Sequence, residues 1–277
     1  MLPLLARTAG GQPFGASIVV VDNDAAESAR EVVDSQKHKT GLPLRYEVEP
    51  RQNIALARNR AVAAGHGEFI AFIDDDEFPE EGWLRALHSS LTASGADAVL
   101  GPVLPAYEES TPAWVRKGGF YERPRYLTGT TLSWEDCRTG NVLFRRRVLD
   151  RLQAPFLPQF QNGGEDQDFF RRAGEQGAVF RWCDEAIVYE RVPPSRCRRS
   201  VLLKRALLRG KNSLRHEGAR ARNLLKSMVI LPIYLCALPL LFVVGHHLFM
   251  RYLVKTCDHL GRLLACFGLN PVNERMT

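Results

Sequence analysis

Cysteine is scarce and scattered. The 277 residues hold six, Cys137, Cys183, Cys197, Cys236, Cys257 and Cys266, with no C-x-x-C pair among them. That excludes a disulfide scaffold or a zinc ribbon and fits a reducing compartment. The first six residues carry too short an apolar run for a signal peptide, so the body of the chain is expected in the cytoplasm. Compositional bias is also missing: 45% apolar and 25% charged residues exclude a disordered or collagen-like chain. No nucleic-acid-reading module accompanies the net charge of +6, so nucleic acid is not expected as a partner.

What is present is a division of charge. Residues 1–190 carry 21 Lys and Arg against 28 Asp and Glu, residues 191–226 carry 12 against 1, and residues 227–277 carry 4 against 2. The length allows one large domain and an appendage, at roughly 100–200 residues per domain. After the basic collar comes an uncharged stretch, 228–245, that includes Pro232 and Pro239. Its length is at the lower edge of what crosses a bilayer, so a span and a re-entrant segment both remain open. Beyond it, Phe249, Tyr252, Leu253, Leu260, Leu263, Leu264 and Phe267 recur at helical spacing opposite His247, Arg251, Lys255, His259 and Arg262. This predicts a helix lying in the headgroup layer, with the collar against an anionic membrane surface on the cytoplasmic side. The plainer alternative is a buried helical subdomain.

The acidic body alternates strands and helices. Strands are predicted over 17–21, 44–48, 68–73 and 98–102, and helices over 27–35, 54–64 and 83–93. This rhythm implies an open α/β sheet with its ligand crevice at the carboxyl ends of the strands. Asp22 ends the first predicted strand, and Asp74-Asp75-Asp76-Glu77 ends the third. Four carboxylates in a row repel one another, and a divalent cation is the simplest offset; Asp74 and Asp76, two apart, can share one ion. A solvated acidic turn is the bland alternative. A second stretch, Asn162-Gly163-Gly164-Glu165-Asp166-Gln167-Asp168, opens a helix. Its acids could merely complement the helix dipole, which leaves the double glycine and Asp168 unexplained.

The order of an apolar strand ending in Asp22, Arg58-Asn59 on a helix, FIDDDE, TGNVLFRR (139–146) and GGED (163–166) resembles the family 2 glycosyltransferases of the GT-A fold. NIALARN, GPV (101–103), PAW (112–114), GGEDQDFF and YERVPPSR (189–196) resemble its bacterial exopolysaccharide branch, the succinoglycan-type glucosyltransferases. The resemblance implies a GT-A catalytic domain over 1–190, a basic helical collar over 191–226, and membrane-associated helices over 227–277 at the inner membrane. It implies metal-dependent, inverting transfer of one sugar, with glucose the expected one, from a UDP-sugar to a polyprenyl-diphosphate-linked oligosaccharide. By this likeness Asp22, Arg58, Asp74 and Asp75 contact the nucleotide-sugar, and Asp76 with Asp74 holds Mg2+ or Mn2+. Asp166 deprotonates the acceptor hydroxyl, and Glu165 orients acceptor or base. Glu190 stands where many relatives place a metal-facing His. The Q-x-x-R-W signature of processive synthases does not precede Arg181-Trp182, which implies addition of a single sugar.

Two readings from other classes stay beside this one. IVVVDND also resembles the opening of haloacid-dehalogenase-type phosphohydrolases, with Asp22 as nucleophile and Asp24 as acid, although Ala25-Ala26 depart from that pattern. A non-catalytic membrane adaptor that binds nucleotide-sugar is the other. The family's first, central strand also has no counterpart: residues 1–9 look like the helix that follows it. The expectation is therefore an N-terminally incomplete catalytic domain, from a late start or a fragment.

Overall fold

The computed structural model describes residues 1–9, 14–160, 163–214, 217–269 and Val272. The chain forms two compact units, Met1–Leu104 with Arg123–Glu190, and Pro105–Glu122 with Arg191–Thr277. The elements run α1 (Leu2–Ala9), β1 (Ile18–Asp22), α2 (Arg30–Thr40), β2 (Leu44–Val48), α3 (Ile54–Ala64), β3 (Phe69–Ile73), β4 (Glu77–Pro79), α4 (Trp83–Ser94) and β5 (Ala98–Leu100). They continue with β6 (Val103–Tyr107), α5 (Ala113–Gly118), β7 (Asn141–Arg145), α6 (Arg146–Asp150), α7 (Glu165–Glu175), β8 (Phe180–Trp182) and β9 (Val188–Val192). Three helices close the chain, α8 (Arg199–Asn212), α9 (Glu217–Val244) and α10 (His246–Cys266).

The α/β rhythm of the sequence is present, but the sheet is mixed. β1 and β2 pair in parallel; a second ladder runs β3-β7-β5-β8, with β7 antiparallel to both its neighbours; a third runs β4-β9-β6. β1 and β3 are both edge strands. Yet IVVVD and FIAFI are the continuous apolar runs of strands covered on both sides, and Ile18 to Val21 stay half-buried while Ala71 is exposed. Among the described residues no strand joins these two ladders.

α2 begins three residues later than its apolar pattern suggests. Asp24 accepts from the Ala26 N–H, Asp22 accepts from the Ala29 N–H, and Glu27 takes a left-handed φ of 54°, so the chain turns before the helix starts. α3 matches its expected bounds because Asn53, in extended conformation, caps it through the Ala55 N–H at 3.0 Å. α7 opens behind Gly163 and Gly164, both at left-handed φ (106° and 95°), which accounts for the double glycine. An aromatic core of Phe144, Phe156, Phe169, Phe170 and Phe180 fixes α7 against β7.

The second unit divides the chain differently from the sequence reading. Residues 105–122 join the C-terminal helices, because Val115 packs with Val192 and Cys197, and the Trp114 ring meets His246 at 5.3 Å. Collar and tail also share this unit. α8 and α10 cross at backbone contact: a Cβ on Gly210 would lie 2.1 Å from the Asp258 carbonyl oxygen, and one on Gly261 2.2 Å from that of Leu207. Arg209 clamps Asp258 with two bonds of 2.8 and 2.7 Å. α10 therefore does not have the simple two-faced character expected of it. His259, assigned to the polar face, is buried, while Leu260 and Phe267 of the apolar face are exposed. The uncharged stretch up to Val244 belongs to α9, and only 6% of the apolar window within Ala221–Val244 is buried, so the described chain does not cover this segment as a buried subdomain would. Arg215 and His216 of the collar lie outside the described residues.

Candidate active site

The first unit brings the acid turn after β3 and the acids of α7 to one place, and Arg58 on α3 joins them. Its guanidinium, 11% exposed, donates to Glu165 and, at 3.4 Å, to Asp74. The helix that carries it is pinned at its neighbour: Asn59 donates to the Phe156 carbonyl at 2.7 Å and accepts from the Phe156 N–H at 3.0 Å. Arg58, expected at the nucleotide, is thus occupied by two carboxylates.

The turn itself is set by Glu77. This side chain is buried, and its Oε2 accepts from the Asp74 N–H at 3.0 Å. Burial, reinforced by the charge of Asp74, pushes its pKa up to about 9. Gly140 makes the room: a Cβ there would stand 2.7 Å from Glu77 Oε1 and 3.3 Å from Asp74 Oδ2. Next to it, buried Asn141 donates to the Pro102 and Ala186 carbonyls and accepts from Trp83 Nε1, tying the TGN and GPV motifs together.

Asp74 has a raised pKa, first from burial in the cleft, then from the charge of Asp76, with Arg58 and Arg123 opposing. Asp75 is exposed and Asp76 half-buried. Glu165 is buried with one oxygen on Arg58 and its Oε2 without a hydrogen-bond partner. Burial raises its pKa, Arg58 opposing and Asp166 adding to the rise. Asp166 is half-buried, and its Oδ1 accepts from the Gln167 N–H at 2.8 Å. Asp168 is architectural, held by Arg172 at 2.7 Å and Arg171 at 3.1 Å. Asn162 lies outside the described residues.

Asp22 sits at the end of β1, buried, with Oδ2 accepting from the Tyr46 hydroxyl at 2.7 Å and the Ala29 N–H at 2.8 Å. Burial and this bond push the Tyr46 pKa up to about 12. Glu190 stands opposite Glu77 in the β4–β9 register and accepts from Arg123 at 2.6 Å. The sequence reading missed Glu77, Gly140 and Arg123 as site residues. FIDDDE and TGN carried a signal for the first two; the exposed loop around Arg123 carried none.

Whether these residues suit a divalent ion can be judged from the donors. No three His, Cys, Asp or Glu side chains among the described residues group closely enough to cage a metal. Asp74 and Asp76 instead offer hard oxygen ligands at alternate positions of one turn, a set that suits Mg2+ or Mn2+ completed by water and substrate phosphate. The residues fit.

The family model for glycosyl transferase family 2 matches residues 13–153. The chain is 35% identical over 209 residues to the succinoglycan biosynthesis protein ExoM of Rhizobium meliloti (strain 1021), covering 75% of this chain and 67% of that one. It is 27% identical to ExoU of the same strain, covering 70% of this chain and 60% of that one. The chain thus spans about two thirds or less of these relatives' lengths. Among solved structures, S. aureus TarS 1-349 in complex with UDP shares the fold, with a TM-score of 0.51 at 20% identity over 73% of this chain and 58% of that one. The same protein in complex with UDP-GlcNAc gives 0.53 at 15% identity over 98% and 88%.

Proposed function

The chain belongs to glycosyl transferase family 2, and from that membership we propose that it transfers one sugar, with inversion, from a UDP-sugar to a lipid-linked oligosaccharide in exopolysaccharide synthesis. The observation that carries this reading is the Arg58 bridge, which keeps the acid turn and the acids of α7 in one cleft. The kinship to succinoglycan biosynthesis proteins supports exopolysaccharide synthesis as the setting, and glucose is the donor sugar proposed.

Asp74 and Asp76 would hold Mg2+ or Mn2+, which when bound would supply charge stabilisation to the departing diphosphate. Glu77 and Gly140 fix the turn that presents both aspartates. Asp166 accepts the proton of the acceptor hydroxyl, raising its nucleophilicity as it attacks the anomeric carbon from the face opposite UDP. Glu165, held by Arg58, orients that base helix. Asp22 and Asp75 line the nucleotide side. The exposed apolar residues of α9 and the basic collar support a location at the cytoplasmic face of the inner membrane, beside a polyprenyl-diphosphate-linked acceptor.

The test is donor-dependent release of UDP by the full chain with membranes that carry mixed lipid-linked acceptors. Transfer of radiolabelled sugar to lipid, dependent on Mg2+ or Mn2+, is the expected result. UDP binding without transfer to any native acceptor supports the adaptor reading instead, and phosphate release from small phosphoesters supports a phosphohydrolase.

A further inference from the structure

Helices α9 and α10 run antiparallel as neighbours, and three contacts set their register. His259 Nδ1 lies 2.9 Å from the Ser227 hydroxyl, the Tyr234 and Tyr252 rings meet edge-on at 5.2 Å, and Phe242 meets Phe249 at 5.3 Å. α10 meets α8 through Asp258 and Gly261, which at 100° per residue lie on the face opposite Phe249, Tyr252 and His259. α10 is thus held on both sides, and α9 has one face left over.

That face is a continuous stripe. Exposed residues of α9 recur in pairs, 228–229, 232–233, 235–236, 239–240 and 242–243, and none is charged. Lys226, also exposed, stands at its start, and no acid accompanies it there, which suits an anionic lipid surface. Pro232 and Pro239 lie inside both helix and stripe. A proline has no N–H, so the carbonyls of Met228 and Leu235, four residues earlier, lose their helical donor. Met228 and Leu235 are themselves on the exposed side, turned away from α10.

These facts bear on how α9 can enter a bilayer. Set upright, it would draw α10 with it, because the register is fixed along both helices. Arg251 and Lys255, which fall between the Phe249 and His259 contacts, would then enter hydrocarbon beside the apolar run. The freed carbonyls would face lipid tails with no donor to replace the lost one. Residues 228–244 also extend only about 26 Å at 1.5 Å per residue, short of a hydrocarbon core of about 30 Å. Laid flat, the same helix meets none of these costs. The stripe sinks to the boundary of headgroups and acyl chains, where water still reaches the backbone, and the charges of α10 stay on the aqueous side.

We infer that α9 lies in the plane of one leaflet, stripe inward, with both its ends and the whole of α10 on the same side of the membrane. The inference rests on the membrane attachment proposed above and adds the direction in which the helix lies.

Depth measurement by electron paramagnetic resonance tests it. Val229, Cys236 and Val243 are seven apart on the stripe, and Cys236 is a native, exposed cysteine. The full chain carries Cys257→Ser and Cys266→Ser, which removes the other cysteines that are not buried. It is spin-labelled at Cys236, or at Val229→Cys or Val243→Cys with Cys236→Ser. Each form is reconstituted by detergent removal into vesicles of phosphatidylglycerol and phosphatidylethanolamine, and oxygen and an aqueous nickel chelate read the depth. Equal depths at the three positions, about 5–10 Å below the headgroups, are expected. An upright helix separates the outer two labels by about 21 Å along the membrane normal, so Cys236 would be far deeper than either. That profile overturns the flat helix and leaves membrane attachment standing. Labels shielded from both reagents, with spin–spin broadening that dilution by unlabelled chain removes, mean that a second copy covers the stripe and also overturn it. Failure of the chain to sediment with the vesicles defeats the attachment reading itself, and the inference with it.

Discussion

Arg58 donates to Glu165 across 107 residues of sequence, and both side chains are nearly closed to solvent, at 11% and 5% exposure. A buried pair of this kind is strongly destabilising to break from one side, because the remaining charge has no partner. Arg58→Gln should therefore cost about 3 kcal/mol, seen as a melting temperature lower by several degrees. Arg58→Gln with Glu165→Gln should recover most of that loss. Equal melting of the single and double variants would mean the two residues are not coupled.

Catalytic loss should separate by residue. Asp76→Ala is expected to abolish transfer and weaken UDP binding in Mn2+, since it removes a ligand for the ion that meets the diphosphate. Asp166→Asn should abolish transfer and leave UDP affinity nearly intact. Isothermal titration with UDP, beside a transfer assay, reads both. Near-full activity of Asp166→Asn defeats its assignment as base.

Glu77 gives a pH-dependent stability whose sign is fixed by its raised pKa. The folded protein holds this proton up to about pH 9, whereas an ordinary glutamate, with model value 4.5, releases it far earlier. The unfolded chain therefore binds fewer protons between those values, and the Glu77 contribution to stability falls as pH rises through that window. Glu77→Gln keeps an acceptor for the Asp74 N–H and has nothing to titrate. In metal-free buffer, its melting temperature relative to wild type should climb from pH 5 to pH 9. A constant difference across that range would show that Glu77 is ionised throughout.

Much of this was written in the chain. IVVVD and FIAFI announced their strands through apolar and β-branched runs, LRYEV is a short strand in which apolar residues alternate with charged ones, and the Asn53 cap set the start of α3 where the pattern put it. The acids of both clusters were legible because charge after a strand, or after two glycines, has few structural excuses. Asp168 looked like one of them and is instead consumed by Arg171 and Arg172, a pairing decided by helical spacing. What the sequence could not disclose was which arginine meets which acid. Arg58 and Arg123 find Glu165 and Glu190 only through the fold, at separations of 107 and 67 residues. Asn59 and Asn141, parts of recognisable motifs, turn out to fasten backbone. Alternation also failed for α10, whose buried face is chosen by the glycine contacts with α8 and not by hydropathy.

Those glycine contacts decide how membrane attachment should be tested. Removing residues 227–277 would delete α10 and strip α8 of the neighbour it touches at Gly210, so loss of pelleting by that truncation would report misfolding as readily as detachment. α9 offers a cleaner change. Leu240, Val243 and Val244 are 68%, 82% and 61% exposed, so replacing all three with Gln removes apolar surface and leaves the Phe242–Phe249 ring contact with α10 in place. If α9 is the anchor, wild type should resist extraction by high salt, because apolar insertion is not screened. The triple variant should remain on anionic vesicles through the basic collar at low salt and leave them as salt is raised. Sedimentation with vesicles of phosphatidylglycerol and phosphatidylethanolamine, against a salt series, reads the difference. Salt-resistant sedimentation of the triple variant would take the anchor away from α9 and put it on α10, where Leu260 and Phe267 are the exposed apolar side chains left to make it.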